Sequence, residues 1–153
     1  MSAETSFTSA GGGRPVRFVD TNVLLYAAST APEEGTKARR ARTLLDADDL
    51  ALSVQVLQEF YVQATRTTRR DRLTHDQAAA LVEAFARFPV QDMTLSLVRA
   101  AVTASRRLKV SYWDAAIIEA ARSLGCRTIL SEDLSHGARF AGVRVENPFI
   151  GVD

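Results

Sequence analysis

The stretch that decides the fold is Val16-Arg-Phe-Val-Asp-Thr-Asn-Val-Leu-Leu-Tyr-Ala27. Its first run, Val16 to Val19, is β-branched and aromatic and predicts a short buried strand that ends at Asp20. The second run, Val23 to Ala28, predicts a helix whose start is marked by Asp20, Thr21 or Asn22. A carboxylate between a strand and a helix lies where open α/β sheets bind ligands. Asp20 is therefore a candidate site residue, although a simple helix cap explains this stretch alone equally well.

The rest of the chain alternates short apolar runs with helical patterns. This alternation predicts an α/β fold, in which helices cover both faces of a parallel sheet. Strands are expected at about 16–20, 50–53, 88–93, 127–131 and 142–146. Helices are expected at about 22–29, 32–46, 54–69, 74–87, 94–108 and 111–124.

Composition describes an ordinary globular protein of 153 residues, 46% hydrophobic and 24% charged, with a formal net charge of +1. We expect a single domain at 16–153, because residues 1–15 are rich in Ser, Thr, Ala and Gly and predict a flexible leader. No apolar run is long enough for a membrane span, so no membrane association is expected. Cys126 is the only cysteine, which favours a reducing compartment and a cytoplasmic location.

Three further acids lack an obvious partner in the sequence. Glu59 lies inside a predicted helix, and none of its neighbours three or four positions away is basic. Asp114 follows Ser111 as in a capping box, which is an ordinary structural use, but its helix is apolar almost all round. Asp133 follows the fourth strand, where Glu132 competes with it and a solvated turn is an equally good interpretation.

These acids can converge at the carboxyl ends of the parallel strands. Two carboxylates about 4–5 Å apart repel by about 3–4 kcal/mol at an effective dielectric of about 20. A hard divalent cation removes this repulsion, and Mg²⁺ or Mn²⁺ suits carboxylate ligands. Zinc is disfavoured, because His75 and His136 have no ligand spacing and Cys126 stands alone.

Four motifs together resemble those of PIN-domain nucleases, and most of all VapC-type toxins of bacterial toxin–antitoxin pairs. They are Phe-Val-Asp20-Thr-Asn-Val-Leu-Leu-Tyr, Val-Leu-Gln-Glu59-Phe-Tyr, Ser-Tyr-Trp-Asp114-Ala-Ala-Ile and Leu-Ser-Glu-Asp133-Leu. The resemblance covers about residues 16–150 and implies a PIN-like three-layer sandwich with a five-stranded parallel sheet. It departs from the family in the leader before the first strand, where the aspartate normally lies near the start.

The resemblance also implies a Mg²⁺- or Mn²⁺-dependent endoribonuclease that hydrolyses phosphodiester bonds. Asp20 and Asp114 are then the main metal ligands, and Glu59 and Asp133 complete the catalytic acids. The matching polar helper positions are Thr21, Asn22 and Ser131. Expected partners are RNA, a cognate antitoxin and a second copy of the chain in a homodimer.

Arginines near the end of the Glu59 helix are candidates for RNA binding, with favourable charge at a helix end as the equal alternative. They are Arg66, Arg69 and Arg70. Aromatic residues near the predicted site, among them Tyr26 and Trp113, have the right chemistry to stack on bases, but core packing is the more common use.

Other functional classes fit the residues less well. A phosphoacceptor receiver domain needs a lysine after a late strand, and none follows Lys109. A haloacid-type phosphatase has a second aspartate two positions after the first, where this chain has Asn22. Two alternatives within the family stay open, namely a PIN nuclease for RNA processing and a catalytically inactive partner-binding domain.

Overall fold

The computed structural model describes residues 16–152, so the predicted leader at 1–15 lies outside the described residues. The strands are β1 (Arg17–Val19), β2 (Leu50–Ser53), β3 (Val90–Gln91), β4 (Thr128–Leu130), β5 (Arg139–Phe140) and β6 (Val143–Glu146). The helices are α1 (Thr21–Ala28), α2 (Gly35–Leu45), α3 (Val54–Ala64), α4 (His75–Phe85), α5 (Leu95–Leu108) and α6 (Tyr112–Ser123). A short 3₁₀ turn, Pro32–Glu34, precedes α2.

The strands form one sheet in the order β3-β2-β1-β4-β6-β5. The five predicted strands β1, β2, β3, β4 and β6 pair in parallel, as expected. In register, Val19 of β1 lies beside Leu130 of β4, and Leu130 lies beside Glu146 of β6. The parallel strands therefore end together, and the residues that follow β1 and β4 meet at one edge.

Helices cover both faces of this sheet. Phe18 and Val19 are successive residues of β1 that point to opposite faces, and both are completely buried. Helices α5 and α6 pack on each other, and α6 also contacts β2, β4 and β6. Helices α1 to α4 form a second group through contacts of α1 with α2 and α3 and of α3 with α4. The predicted three-layer α/β architecture is confirmed.

One strand was not predicted from the sequence. β5 pairs antiparallel with β6 through a hairpin whose two turn residues, Ala141 and Gly142, both have positive φ, 51° and 89°. A two-residue turn of this kind normally carries Asn, Asp or Gly at its first position. Ala141 gives no such signal, so the sequence alone did not reveal a sixth strand at the edge.

Two predicted helix boundaries were wrong. The helix expected over 32–46 is divided into the 3₁₀ turn at Pro32 and α2, since proline and two acids begin a separate turn. The helix expected to reach about residue 69 ends at Ala64. The Thr65 hydroxyl donates to the Tyr61 carbonyl, and the Leu73 amide donates to the Ala64 carbonyl, so the chain turns back instead of continuing the helix.

Among residues 16–152, no helix combines the length and the apolar character that crossing a bilayer requires.

Candidate active site

The site begins where β1 and β4 end. Because Val19 and Leu130 are in register, the next residues, Asp20 and Ser131, lie side by side. Asp20 is also the N-cap of α1, and its Oδ1 accepts a hydrogen bond from the Thr21 amide at 2.8 Å. The capping interpretation of Asp20 is thus confirmed, and its role as a site residue stays a prediction.

The Asp20 carboxylate is buried and held at both oxygens. The Ser131 hydroxyl donates to Oδ2 at 2.8 Å, and Asn22 approaches the same oxygen at 3.5 Å. Burial raises the pKa of the Asp20 carboxyl to about 6, and the negative charges of Asp133 and Glu59 add to the rise. The hydrogen bonds from Ser131 and the Thr21 amide oppose it. Burial and the neighbouring carboxylates therefore disfavour the negative charge of Asp20.

Glu59 reaches the same region from α3. Its Oε1 accepts from the Thr21 hydroxyl at 2.9 Å, and its Oε2 accepts from Nε2 of Gln55 at 3.2 Å. Gln55 lies one helical turn before Glu59 and also donates to the Trp113 carbonyl at 3.3 Å. These bonds fix both oxygens of Glu59 and connect α3 to the first turns of α1 and α6.

Asp114 lies half-buried in the first turn of α6, where the Ser111 hydroxyl caps the helix by accepting from the Asp114 amide at 3.0 Å. Desolvation raises the pKa of the Asp114 carboxyl, Ser111 lowers it, and the charges of Asp133 and Glu59 raise it further. The predicted Ser111 cap is confirmed, and the carboxylate it positions faces the other acids.

The structure distinguishes the two neighbouring acids after β4. Glu132 is paired with Lys37, and its Oε1 accepts from the Tyr26 hydroxyl at 2.6 Å. Hydrogen bonds and charge from Lys37 and Tyr26 hold the pKa of Glu132 below its usual value despite partial burial. Asp133 is exposed, and its amide donates to the Ser131 hydroxyl at 3.1 Å. Glu132 thus has a cationic partner of its own.

The predicted acids line one cavity of about 390 Å³. They are Asp20, Glu59, Asp114 and Asp133. Across residues 16–152, none of these four carboxylates forms an ion pair with a basic side chain. Within the same range, no three histidine, cysteine, aspartate or glutamate side chains stand close enough to form a complete metal-binding group. The four predicted acids therefore lack ion-pair partners of their own in these residues, and they are separate carboxylates instead of a preformed cluster.

The candidate RNA-binding arginines lie after α3 and not at its end, and they differ from one another. Arg69 lines the acidic cavity, but its Nε pairs with Oδ1 of Asp71 at 3.0 Å. Arg70 is exposed and lies 3.7 Å from Glu33. Arg66 is exposed, and in the described part of the chain it has no ion-pair partner.

Sequence reasoning missed Gln55, although its i,i+4 spacing from Glu59 is a signal in the sequence. Tyr26, named above as an aromatic residue near the predicted site, lines the cavity and donates to Glu132. Trp113 was expected in the core, but the structure leaves it 62% exposed beside the cavity. Its place in the first turn of α6 decides this exposure, which helical periodicity does not predict.

Comparison with known proteins gives a match to the PIN domain over residues 17–139. No protein of curated function has a significantly similar sequence. Solved structures resemble the fold, among them DNA-bound VapBC from Salmonella typhimurium, with a TM-score of 0.63 and 23% identity over 88% of this chain and 99% of that one. VapC20 of Mycobacterium tuberculosis, described as a sarcin-ricin loop cleaving toxin, gives 0.60 and 23% over 84% and 98%. VapBC2 of Rickettsia felis, bound to a promoter DNA fragment, gives 0.60 and 17% over 86% and 98%.

Proposed function

Because the chain belongs to the PIN domain family of nucleases, we propose that it is a Mg²⁺- or Mn²⁺-dependent endoribonuclease and the toxin of a toxin–antitoxin pair. The observation that carries the proposal is the acidic cavity at the carboxyl ends of β1 and β4. Six carboxylates line it, and across residues 16–152 the four predicted ones, Asp20, Glu59, Asp114 and Asp133, have no basic partner. A ligand with positive charge is what such a cavity favours.

The donor set fits a hard divalent cation. Mg²⁺ is commonly held by one or two protein carboxylates and keeps several waters, so it does not need a preformed cluster of three acids. We assign Asp20 and Asp114 as the ligands, because burial and neighbouring charge make both carboxylates favour a cation over solvent. Glu59 and Asp133 add negative charge around them, and all four lack nitrogen or sulfur atoms that would favour zinc.

The chain's own contribution to catalysis is orientation. When bound, the ion supplies positive charge for a phosphate oxygen and makes water more acidic. Ser131 and the Thr21 amide hold the two oxygens of Asp20, while the Thr21 hydroxyl and Gln55 hold those of Glu59. The carboxylates are therefore fixed before RNA arrives, which lowers the reorganisation needed for in-line attack on the phosphodiester.

The solved structures with this fold and three arginines support RNA as the substrate and toxicity as the biological role. The solved structures with this fold include VapBC complexes and a toxin named for cleaving the sarcin-ricin loop. By analogy with them, this chain would be silenced by an antitoxin, would form a homodimer and would act in the cytoplasm. Arg69 lines the cavity and Arg66 lines the groove next to it, and both of them, with the exposed Arg70, are proposed to supply charge for phosphates.

The test is cleavage of total cellular RNA by purified protein, with Mg²⁺, Mn²⁺ or EDTA and with the cut sites mapped. We expect metal-dependent cleavage at a few sites, and loss of it in the variants Asp20→Asn and Asp114→Asn. Asp92→Asn is the matched control, because Asp92 is exposed and does not line the cavity. Undiminished cleavage by folded Asp114→Asn protein would exclude this site.

Two alternative functions, an RNA-processing nuclease and an inactive partner-binding domain, predict different experimental results. Growth arrest on expression, relieved by coexpression of the neighbouring gene, separates a toxin from an RNA-processing nuclease. A catalytically inactive partner-binding domain would show no metal-dependent cleavage at all. The retention of four uncompensated acids favours activity, since an inactive domain gains nothing from their mutual repulsion.

A further inference from the structure

A second groove of about 340 Å³ opens next to the acidic cavity, and we call it the Trp113 groove. Gln55, Glu59, Gln63 and Trp113 line both spaces, so the two are continuous. Gln58, Val62 and Arg66 complete the wall of the groove on α3 and the turn after it. A polymer whose backbone enters the acidic cavity would therefore place its next unit in this groove.

Trp113 lines this groove with a largely exposed aromatic ring. The residue is 62% exposed, and the ring packs edge to face against Tyr112 at 5.0 Å. The backbone carbonyl of Trp113 accepts a hydrogen bond from Gln55, whose side chain is buried and also holds Glu59. The backbone that carries the indole is thus anchored to the residue that orients Glu59.

We propose that the Trp113 groove binds an unpaired base of the RNA strand that enters the acidic cavity, an inference that rests on the function proposed above. An exposed aromatic ring stacks on any nucleobase. The carboxamides of Gln58 and Gln63 offer both donors and acceptors for base edges. Arg66, which has no ion-pair partner among residues 16–152, supplies positive charge for a neighbouring phosphate.

The chemistry of the walls favours RNA over a protein segment. A docked amphipathic helix needs a continuous apolar stripe on its receptor. Here five of the seven lining residues carry hydrogen-bonding or charged groups, and the large exposed apolar residues are Trp113 and Val62. A base stacked in the groove must leave its helix, so the site selects single-stranded over double-stranded RNA.

The experiment uses the fact that Trp113 is the only tryptophan, so intrinsic tryptophan fluorescence reports on the surroundings of this residue. The full chain in EDTA is titrated with a single-stranded oligoadenylate, an abasic ribose-phosphate oligomer of equal length and an RNA duplex. We expect quenching by oligoadenylate and little change with the other two. End-labelled oligomers give the dissociation constants of the variants by anisotropy.

Trp113→Ala is expected to raise the dissociation constant for oligoadenylate by about 5- to 100-fold and to leave abasic binding unchanged. Trp113→Phe keeps an aromatic ring that can stack on a base, so its affinity for oligoadenylate should fall much less. Val102→Ala is the matched control, because Val102 is equally exposed on α5 and lines neither space. If Trp113→Ala unfolds at a lower temperature than wild type, Trp113→Leu gives the same comparison, because leucine keeps an apolar side chain but cannot stack.

Three results would overturn the proposal. They are the absence of quenching, equal weakening of oligoadenylate and abasic binding, and a change of sedimentation coefficient in Trp113→Ala with RNA affinity unaltered. The last result would assign the groove to a protein interface. Failure of the proposed function is distinguishable, because a protein that never cleaves with Mn²⁺ can still show or lack base-dependent quenching in EDTA. Cleavage without quenching would reject the groove alone.

Discussion

The Ser131 hydroxyl donates a 2.8 Å hydrogen bond to Oδ2 of Asp20, although the two residues are 111 positions apart in the chain. Oγ of Ser131 in turn accepts from Nδ2 of Asn22 at 3.2 Å and from the Asp133 and Leu134 amides at 3.1 and 3.2 Å. One buried hydroxyl therefore joins the ends of β1 and β4, the start of α1 and the turn that carries Asp133.

Ser131→Ala should weaken Mn²⁺ binding by about 10- to 100-fold, because residues that orient metal ligands have effects of this size. The loss follows from releasing one oxygen of Asp20 and removing a hydrogen bond that lowers its pKa. Calorimetric titration with Mn²⁺ measures the affinity. Ser135→Ala is the control, since Ser135 is exposed and only its carbonyl accepts a bond. Wild-type affinity in Ser131→Ala would contradict this prediction.

Asp20→Asn should change the pH dependence of unfolding. The folded pKa of Asp20, about 6, lies above its ordinary value of 3.8, so the folded state binds more protons between these values. Stability contributed by protonated Asp20 is present at low pH and is lost as pH rises from about 4 to about 6, by up to about 3 kcal/mol. Asparagine cannot ionise, so the variant should lack this loss.

The measurement is the free energy of unfolding in urea with EDTA, for both proteins, at about pH 4 and about pH 8. Comparing the two pH values cancels any fixed effect of the substitution on hydrogen bonding. The free energy of unfolding of the variant should rise relative to that of wild type between about pH 4 and about pH 8. If the two proteins differ in free energy of unfolding by the same amount at both pH values, burial does not raise the pKa of Asp20.

Divalent metal should raise the melting temperature of the wild-type protein. A ligand that binds only the folded state at about 100 times its dissociation constant stabilises by about 2.7 kcal/mol. We expect stabilisation by Mn²⁺ that EDTA reverses, that persists in Asp92→Asn, and that is absent in Asp20→Asn and Asp114→Asn. Equal stabilisation of all four proteins would place the metal elsewhere.

Asp133→Asn should reduce cleavage by about tenfold or more, whereas Glu132→Gln should reduce it only a few-fold. The difference follows from Lys37 and Tyr26, which already hold the Glu132 carboxylate, while Asp133 lacks a basic partner in residues 16–152. Single-turnover cleavage at saturating Mn²⁺ separates the two variants. The opposite order would make Glu132 the fourth acid of the site.

Arg66→Ala should weaken single-stranded RNA binding and reduce the slope of affinity against salt concentration by about one. Arg70→Ala should act in the same direction but less, because Arg70 lies near Glu33. Arg69→Ala should also lower stability, since it leaves Asp71 without its ion pair. Anisotropy in EDTA at several NaCl concentrations measures the slopes, and identical slopes for Arg66→Ala and wild type would exclude phosphate contact.

Much of the fold follows from local sequence because its signals are local. The apolar run at Leu50–Ser53 predicts β2 at the residues where it lies, and Thr74, at the start of the helix predicted over 74–87, forms a reciprocal capping box with Gln77. Gly125 follows the helix predicted to end at residue 124 and adopts a positive φ of 75° that glycine tolerates. Convergence of the acids also followed, because parallel strands end at one edge of a sheet.

What sequence alone did not decide depends on contacts distant in the chain. Lys37 lies 95 positions from Glu132, so only the folded structure shows which acid after β4 is neutralised. The same holds for Arg69, whose pairing with Asp71 depends on how the chain turns after Ala64. The roles assigned to the individual site residues remain predictions for the experiments above.

The position of β4 between β1 and β6 has a consequence for synthesis of the protein. A growing chain that has not reached Thr128 lacks one of the two strands beside β1, the hydroxyl that holds Asp20, and Asp133. The acids that line the cavity can therefore come together only after residue 133 has been translated. Under the RNA cleavage proposed above, this order would delay activity towards the ribosome-bound transcript during synthesis.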